Sequence, residues 1–221
     1  MIKQLIKLNI TILVLVTCYI GYYLGLRYTG MKMIELNSWI VFFYLMLGTF
    51  LSSSGASILN QYIERDYDAL MYRTKDRPIP KKRINAKFAL FLGVVLSLLG
   101  PFLLFVKVNS ITALISFLTI LIYTIIYTPS KRYTSFNTII GAIPGALPPV
   151  GGWTAATGKV DMQALMLFGV LFCWQIPHFL SLAIIYKEDY ERGGFKMLPS
   201  ISKNINDVTF QILFFTMALL Y

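Results

Sequence analysis

Long apolar segments separated by short polar ones run along most of the chain. A helix that crosses a bilayer needs about 20 mostly apolar residues. By this criterion the pattern predicts seven spans, near Leu8–Leu26, Ser38–Leu59, Phe88–Val106, Ile111–Tyr127, Asn137–Thr157, Met162–Tyr186 and Val208–Tyr221. The predicted fold class is therefore all-α, a polytopic transmembrane helical bundle that forms a single domain over residues 1–221.

Two of these spans differ from a regular apolar helix. The fifth contains Pro144, Pro148 and Pro149, and we expect a helix with an irregular end there, since neighbouring helices or a cavity can satisfy the freed backbone groups. The seventh offers only about 21 Å of helix at about 1.5 Å per residue, short of a hydrocarbon core of about 30 Å. We therefore expect the domain to be truncated within its seventh helix.

Composition and charge agree with a membrane protein. Hydrophobic residues make up 57% of the chain and charged residues 14%, and the net charge is +10. The basic residues lie in short clusters between apolar runs, which argues against nucleic acid as a partner and for the lipid bilayer. Cys18 and Cys173 both lie within apolar runs. Their position favours small buried hydrophobic side chains over a zinc site or a disulfide.

The distribution of Lys and Arg predicts the orientation. All but four of the 20 Lys and Arg fall on the side that holds the N-terminus and the two long polar loops, and the four exceptions are Arg27, Lys32, Lys107 and Lys159. The positive-inside rule places that side in the cytoplasm. The chain shows no amphipathic leader rich in Arg and Ser, which favours a bacterial cell membrane over a mitochondrial one.

Three oxygen-bearing side chains recur at helical spacing where the second span ends. Asn60, Glu64 and Asp68 stand four residues apart, which puts all three on one face of a continuing helix. Mg²⁺ is typically held in proteins by one or two carboxylates together with waters and substrate phosphates. We therefore predict that these three residues, called here the triad, bind Mg²⁺.

Basic residues follow the triad closely. Arg73 and Arg77 come first and Lys81–Arg83 next, and guanidinium groups bind phosphate oxygens with two parallel hydrogen bonds. Acids followed by bases predict a site for a metal and a diphosphate. The alternative is a solvated loop whose charges only set the topology. That alternative is the better interpretation of Lys81–Arg83, but it gives no reason to align carboxylates on one face.

A second group of polar residues lies at the end of the sixth span. Gln175 and His178 are about one helical turn apart in an apolar segment, where polar groups are costly and often functional. A hydrogen bond to a neighbouring helix would explain His178 equally well. Pro177 predicts a local break that exposes backbone carbonyls. Asp189 follows on the same side of the membrane as Asp68, so two acidic loops could hold one diphosphate between them.

These features together indicate a type of reaction. Mg²⁺ and basic side chains stabilise the negative charge of a departing diphosphate. An apolar bundle holds a long isoprenoid tail and keeps water away from the resulting allylic cation.

At this point the sequence resembles a known family. The triad followed by Met71–Pro78 is similar to the first acidic motif of UbiA-type intramembrane prenyltransferases. Trp174–Phe179 and Glu188–Pro199 resemble most closely the protohaem IX farnesyltransferase (haem O synthase) branch of that family. Tyr127–Trp153 adds further motifs of that branch, so the resemblance covers most of the chain.

The resemblance implies a nine-helix bundle with a central cavity that opens on the cytoplasmic side. It implies farnesyl diphosphate and haem B as substrates, Mg²⁺ as cofactor and haem O as product, for use by haem–copper oxidases. Haem-modifying or oxidase-assembly partners would follow from that role. The implied site residues are Asn60, Glu64, Asp68 and Asp189 for metal and catalysis, and Arg73, Arg77, Lys131 and Arg132 for the diphosphate. Gln175 is implied as a haem contact, and His178 as a haem contact or a group that handles a proton.

The sequence departs from the family pattern at two positions and lacks its final helices. Glu64 stands where the family usually has Asp. Ile185 precedes Asp189 by four residues, so the pair of Asp residues found in many members is absent. About two further C-terminal helices are expected in the family.

Three other functions stay open at this point. A sister prenyltransferase would act on an aromatic quinone precursor. A transporter would bind phosphate-bearing molecules through the basic loops and would use broken helices such as Asn137–Thr157. An inert assembly scaffold would tolerate Ala at all three triad positions.

Overall fold

The computed structural model describes residues 1–202 and 205–220, and within them every regular element is a helix. Lys203 and Tyr221, which contributed to the predicted charge count and the seventh span, lie outside the described residues. The elements in chain order are α1 (Ile2–Leu5), α2 (Leu8–Thr29), α3 (Leu36–Asp68), α4 (Ala86–Lys107), α5 (Ser110–Leu121), a π-helical segment (Ile122–Tyr127), α6 (Thr128–Ser130), α7 (Asn137–Thr157), α8 (Met162–Ile185), α9 (Lys187–Arg192), α10 (Leu198–Ile201) and α11 (Ile205–Met217). The predicted all-α fold class is confirmed.

Five segments are long and apolar enough to cross a membrane, namely Leu8–Thr29, Leu36–Asp68, Ala86–Lys107, Ser110–Ser130 and Met162–Ile185. They correspond to five of the seven predicted spans. α7 has the predicted bounds and 21 residues, but three prolines interrupt its apolar sequence. α11 has 13 residues. The structure therefore supports a multi-pass membrane bundle without establishing the number seven.

The proline-containing helices are continuous, which corrects two expectations. α7 runs through Pro144, Pro148 and Pro149 without a break and ends at Gly158 in the left-handed conformation, so the predicted irregular end is wrong. α8 likewise continues through Pro177, so the predicted local break there is wrong as well. A proline removes one backbone donor, and packing of both helices against their neighbours preserves the helical path.

Small residues let the helices of the bundle approach closely. A Cβ atom added to Gly152 of α7 would lie 2.7 Å from the backbone nitrogen of Tyr22 in α2. A Cβ added to Gly100 of α4 would lie 2.7 Å from the carbonyl oxygen of Gly48 in α3. Such contacts between backbones are typical of helix pairs that associate in a bilayer. Cys18 is buried beside this interface, whereas Cys173 on α8 is half-buried.

The loops after α3, α6 and α9 fold over one end of the bundle, called here the site end. Met71 of the first loop packs with Phe195 and Met197 of the third. Ile79 packs with Leu5 before α2 and Ile58 of α3. The backbone N–H of Lys196 donates to the carbonyl of Lys131 at 2.7 Å, which joins the second and third loops. Apolar contacts and backbone hydrogen bonds thus fix the basic loops above the end of α3.

Candidate active site

The triad occupies the last turns of one uninterrupted helix. α3 has 33 residues and ends at Asp68, so the residues spaced by four stand above one another. All three side chains are buried, with exposures of 0% for Asn60, 3% for Glu64 and 0% for Asp68. Carboxylates withdrawn from water need charged or hydrogen-bonding partners. The neighbours of the triad therefore determine what the site can do.

Cations from two different elements pair with the two acids. Lys131, which follows α6, places its Nζ 2.8 Å from Oε1 of Glu64. Arg77, in the loop after α3, places Nη1 2.6 Å from Oδ2 of Asp68. Burial acts to lower the pKa of Lys131, but the charge of Glu64 outweighs it and holds the pKa above its usual value. The structure thus brings two of the predicted diphosphate ligands to the triad.

A third cation, Lys7, was missed as a site residue by the sequence analysis, which used it only for orientation. Its Nζ donates to Oδ1 of Asn60 and lies 3.5 Å from the hydroxyl of Tyr123. Lys7 adopts a left-handed backbone conformation, with φ 47° and ψ 54°, at the start of α2. Desolvation, followed by the charge of Arg77, lowers the pKa of Lys7 to about 7. No spacing in the sequence links residue 7 to residue 60.

The donor atoms of the triad fit a hard divalent cation. Oδ1 of Asp68 is buried and has no hydrogen-bond partner in the described part of the chain. Among the same residues, no group of three His, Cys, Asp or Glu side chains lies close enough to enclose a metal by itself. A cation here would use the carboxylates and the Asn60 amide oxygen together with oxygens from outside the protein. That coordination is typical of Mg²⁺.

Aromatic rings and a hydroxyl group form a wall beside the triad. The Nζ of Lys131 lies 4.5 Å from the ring centroid of Tyr127, and the rings of Tyr123 and Tyr127 are 5.6 Å apart. Thr128 accepts a hydrogen bond of 3.0 Å from Nδ2 of Asn60. Both tyrosines come from the π-helical segment that the sequence analysis took for ordinary helix.

Asp189 and Arg73 form a different structure between two loops, called here the cross-loop clasp. The carboxylate of Asp189 accepts backbone hydrogen bonds of 2.9 Å from both Tyr72 and Arg73. It also accepts a side-chain hydrogen bond of 2.8 Å from Nη1 of Arg192. The Arg73 guanidinium lies 4.9 Å from the ring centroid of Tyr186. Partial desolvation acts to raise the pKa of Asp189, but the two backbone donors outweigh it and lower that pKa.

Arg132, the remaining predicted diphosphate ligand, lies next to the triad without pairing to it. Its Nη1 donates to the hydroxyl of Tyr67 at 2.8 Å, and its guanidinium carbon lies 4.2 Å from that ring centroid. Its Nε is buried and has no partner in the described residues. The Tyr67 side chain therefore holds the guanidinium of Arg132 beside the last turn of α3.

Gln175 and His178, the two predicted haem contacts, lie one turn apart on α8 but have different surroundings. Gln175 is 6% exposed and packs so closely that a Cβ added to Gly145 of α7 would lie 2.8 Å from its Nε2. His178 is exposed, and its ring stacks on Trp174 with centroids 4.9 Å apart and planes 14° apart. The structure does not place them on one common face.

Comparison with known proteins identifies the family. The model of the UbiA prenyltransferase family matches residues 14–221. The chain is 42% identical over 226 residues to a protoheme IX farnesyltransferase of Solibacter usitatus, covering 98% of this chain and 75% of that protein. It is 47% identical over 154 residues to a protoheme IX farnesyltransferase of Sorangium cellulosum, covering 70% of this chain. That match spans 55%, little more than half, of the Sorangium relative.

Solved structures show the same fold at low sequence identity. A UbiA homologue from Aeropyrum pernix, solved without ligand, has a TM-score of 0.74 at 19% identity, covering 96% of this chain and 76% of that one. A UbiA homologue from Archaeoglobus fulgidus, solved with DMAPP and Mg²⁺, has a TM-score of 0.72 at 16% identity, covering 99% and 72%. The resemblance found in the sequence motifs is thereby confirmed, and the chain belongs to the UbiA prenyltransferase family.

Proposed function

We propose that this chain transfers the farnesyl group of farnesyl diphosphate to a vinyl group of haem B in an Mg²⁺-dependent reaction, giving haem O for haem–copper oxidases. The similarity to protoheme IX farnesyltransferases over 98% of the chain supports the choice of substrates. The Archaeoglobus homologue that binds DMAPP and Mg²⁺ supports a prenyl diphosphate and a metal. The site end supplies the residues for both.

One structural observation supports the proposal above the others. Glu64 and Asp68 are buried, yet the charged partners found for them are side chains on separate elements. Side-chain partners can exchange when a ligand of opposite charge arrives, whereas partners fixed in the backbone cannot. Oδ1 of Asp68 is buried and has no partner among the described residues, so a bound cation would satisfy it.

In this proposal Asn60, Glu64 and Asp68 would hold Mg²⁺, which when bound stabilises negative charge on the departing diphosphate. Asp189, the other predicted ligand, would first have to release the hydrogen bonds it accepts from Tyr72 and Arg73. The triad therefore carries the metal site, and Asp189 contributes by holding the loop that bears Arg77.

The cations of the site would bind the diphosphate. Once the carboxylates face a metal, the ammonium of Lys131 and the guanidinium of Arg77 are free to donate to phosphate oxygens. Lys7, which donates to Asn60, and Arg132, which contacts Tyr67 beside Asp68, would add further donors. Breaking the bond between C1 of the farnesyl group and its oxygen leaves the electron pair on diphosphate, where these cations stabilise it.

The bundle would hold the apolar parts of both substrates. The Tyr123 and Tyr127 rings beside Lys131 present aromatic faces near the reacting end, where they stabilise a developing allylic cation. A vinyl carbon of haem B then supplies electrons to form the new carbon–carbon bond, and water supplies the hydroxyl group of haem O. Gln175 and His178 are the proposed haem contacts, and the flat stacked surface of Trp174 and His178 supports that assignment.

The proposed orientation follows from the charge distribution. The basic loops that close the site end would face the cytoplasm of a bacterial cell, with the N-terminus on the same side. The continuous path of α7 weakens the transporter alternative, which depended on broken helices.

The proposal is tested by incubating membranes that contain this chain with haem B, farnesyl diphosphate and Mg²⁺, and analysing the haems by mass. We expect farnesylated haem that disappears when the metal is chelated. Geranyl diphosphate in place of farnesyl diphosphate serves as a matched donor control. Prenylation of an aromatic acid with haem unchanged would replace this proposal with the sister activity, and metal-independent product would remove the metal assignment.

A further inference from the structure

A π-helical turn lies in the fourth span at the level of the triad. It covers Ile122–Tyr127, and π turns add one residue to a helical turn and are frequent at functional sites. Pro129 follows closely, and its ring would clash with the carbonyl four residues earlier in a regular α-helix. The wider turn avoids that clash and changes the direction in which Thr128 points.

The wider turn also determines where the proton of the Thr128 hydroxyl lies. Thr128 Oγ1 donates to the carbonyl oxygen of Tyr123, five residues earlier, at 2.8 Å. A hydroxyl group has one proton, so once it is used in this way the oxygen can only accept. It accepts from Nδ2 of Asn60 at 3.0 Å, and both side chains are fully buried.

A second contact confirms the orientation of the same amide. In its charged form the Lys7 side chain is only a donor, and it donates to Oδ1 of Asn60. The amide of Asn60 therefore directs its nitrogen towards Thr128 and its oxygen towards the ammonium group of Lys7. If the amide were flipped, its NH2 group would face an ammonium group, and its oxygen would face a hydroxyl with no proton left to give.

We propose that Thr128 is a positioning residue that keeps the amide oxygen of Asn60 directed at the cation site. This inference rests on the proposed metal role of the triad. Thr128 touches neither metal nor diphosphate in this account and acts only through Asn60. The π-helical turn brings the carbonyl of Tyr123, five residues earlier, within reach of the Thr128 hydroxyl proton.

The test measures cation binding directly, so it does not depend on turnover. The full chain, purified in detergent, is titrated with Mn²⁺ in the presence of inorganic diphosphate, and bound Mn²⁺ is followed by electron paramagnetic resonance. Thr128→Val keeps the shape of the side chain and removes the acceptor. We expect a dissociation constant for Mn²⁺ about tenfold higher, the effect of one lost hydrogen bond at a ligand. Thr128→Ser keeps the hydroxyl and should bind within about twofold of the unchanged chain.

Thr124→Val is the matched control on the same π-helical segment. Its hydroxyl is also buried but donates to the carbonyl of Ile120 within its own helix. We expect Mn²⁺ affinity to stay within about twofold of the original, because no triad residue depends on it. Equal losses in Thr124→Val and Thr128→Val would reduce Thr128 to a structural role and overturn the inference.

If Thr128→Val accumulates poorly, Thr128→Ala replaces it. A further test uses the Asn60→Asp variant as background. That change makes both outer atoms of residue 60 oxygens, so the orientation of the side chain no longer matters. In that background, removing the Thr128 hydroxyl should change Mn²⁺ affinity by less than about twofold. A full tenfold loss there would overturn the inference. If the unchanged chain binds Mn²⁺ with diphosphate yet makes no farnesylated haem, the reaction proposed above fails while the positioning role stands.

Discussion

The triad and the cross-loop clasp both contain carboxylates at the site end, but they are held in opposite ways. Glu64 and Asp68 are buried and pair with side chains on other elements. Asp189 accepts hydrogen bonds from two consecutive backbone N–H groups and from Arg192. Side-chain partners can leave when a ligand replaces them, whereas backbone donors stay. We therefore expect ligand exchange at the triad and loop positioning at the clasp.

The largest effect should come from breaking the triad. Asp68→Asn keeps the volume of the side chain and removes its charge, so Arg77 and the cation lose a shared partner. We expect the rate of haem farnesylation to fall at least about a hundredfold. Asp66→Asn is the matched control, because Asp66 is 75% exposed and pairs with Arg65 at the surface. Comparable rates for the two variants would contradict the assignment of the triad.

The next effect concerns the cation that neutralises Glu64. Lys131→Gln leaves a buried carboxylate without its partner, and breaking such a pair typically costs about 3 kcal/mol of folding free energy. We expect lower thermal stability in detergent and a loss of activity of about tenfold or more. Lys187→Gln, which removes a cation 3.9 Å from Glu191 at the surface, should leave both unchanged. A stable, active Lys131→Gln chain would show that the buried pair is not required.

A smaller effect is expected at the clasp, and it depends on pH. The folded state lowers the pKa of Asp189, so its contribution is fully present above the unfolded value of about 4 and is lost as pH falls through the folded value. Asp189→Asn should lower activity by about three- to tenfold at neutral pH. It should also speed hydrogen exchange in the 70–77 loop. At a pH below the folded pKa of Asp189, the backbone amides of the 70–77 loop should exchange at the same rate in the variant and in the unchanged chain.

Glu188→Gln is the control for that measurement, because Glu188 is exposed and adjoins Asp189. Its 70–77 loop should exchange as in the unchanged chain at every pH. A loss of activity in Asp189→Asn as large as that in Asp68→Asn would instead support a direct metal role for Asp189, and it would end the contrast between the two regions.

The smallest effect should come from an exposed pair in the same loop. Lys81 pairs with Asp76, and both side chains are about half exposed. Exposed ion pairs contribute little because water and salt screen them. Lys81→Gln should therefore leave activity within about twofold and the melting temperature unchanged. A larger loss would show that the cluster at residues 81–83 does more than set topology.

Much of this site could be predicted from the sequence because helical spacing is a local property. The four-residue spacing of the triad requires only that α3 continue to Asp68, which it does. Arg77 lies nine residues further along in the same loop, so its proximity to the triad follows from the chain itself. Lys131 was proposed from the family resemblance, and the structure places it beside Glu64.

The contacts that the sequence did not predict depend on tertiary structure. The approach of Lys7 to Asn60 results from the packing of α2 and α3, and no local pattern encodes it. The donors to Asp189 are backbone N–H groups, which every non-proline residue has, so the sequence does not distinguish them. Pro129 is the one signal that could have indicated the π-helical turn. The prolines of α7 gave a misleading signal, because packing kept that helix continuous.

The length of α3 has a consequence for how substrate reaches the site. Its 33 residues extend about 50 Å, whereas the hydrocarbon core of a bilayer is about 30 Å thick. The final turns, which bear the triad, thus reach the depth of the lipid headgroups. An amphiphile with a diphosphate head and an apolar tail rests in a leaflet at that same depth. Such a substrate can approach by lateral diffusion within the leaflet, so its surface density in the membrane, rather than its concentration in water, sets the rate of encounter.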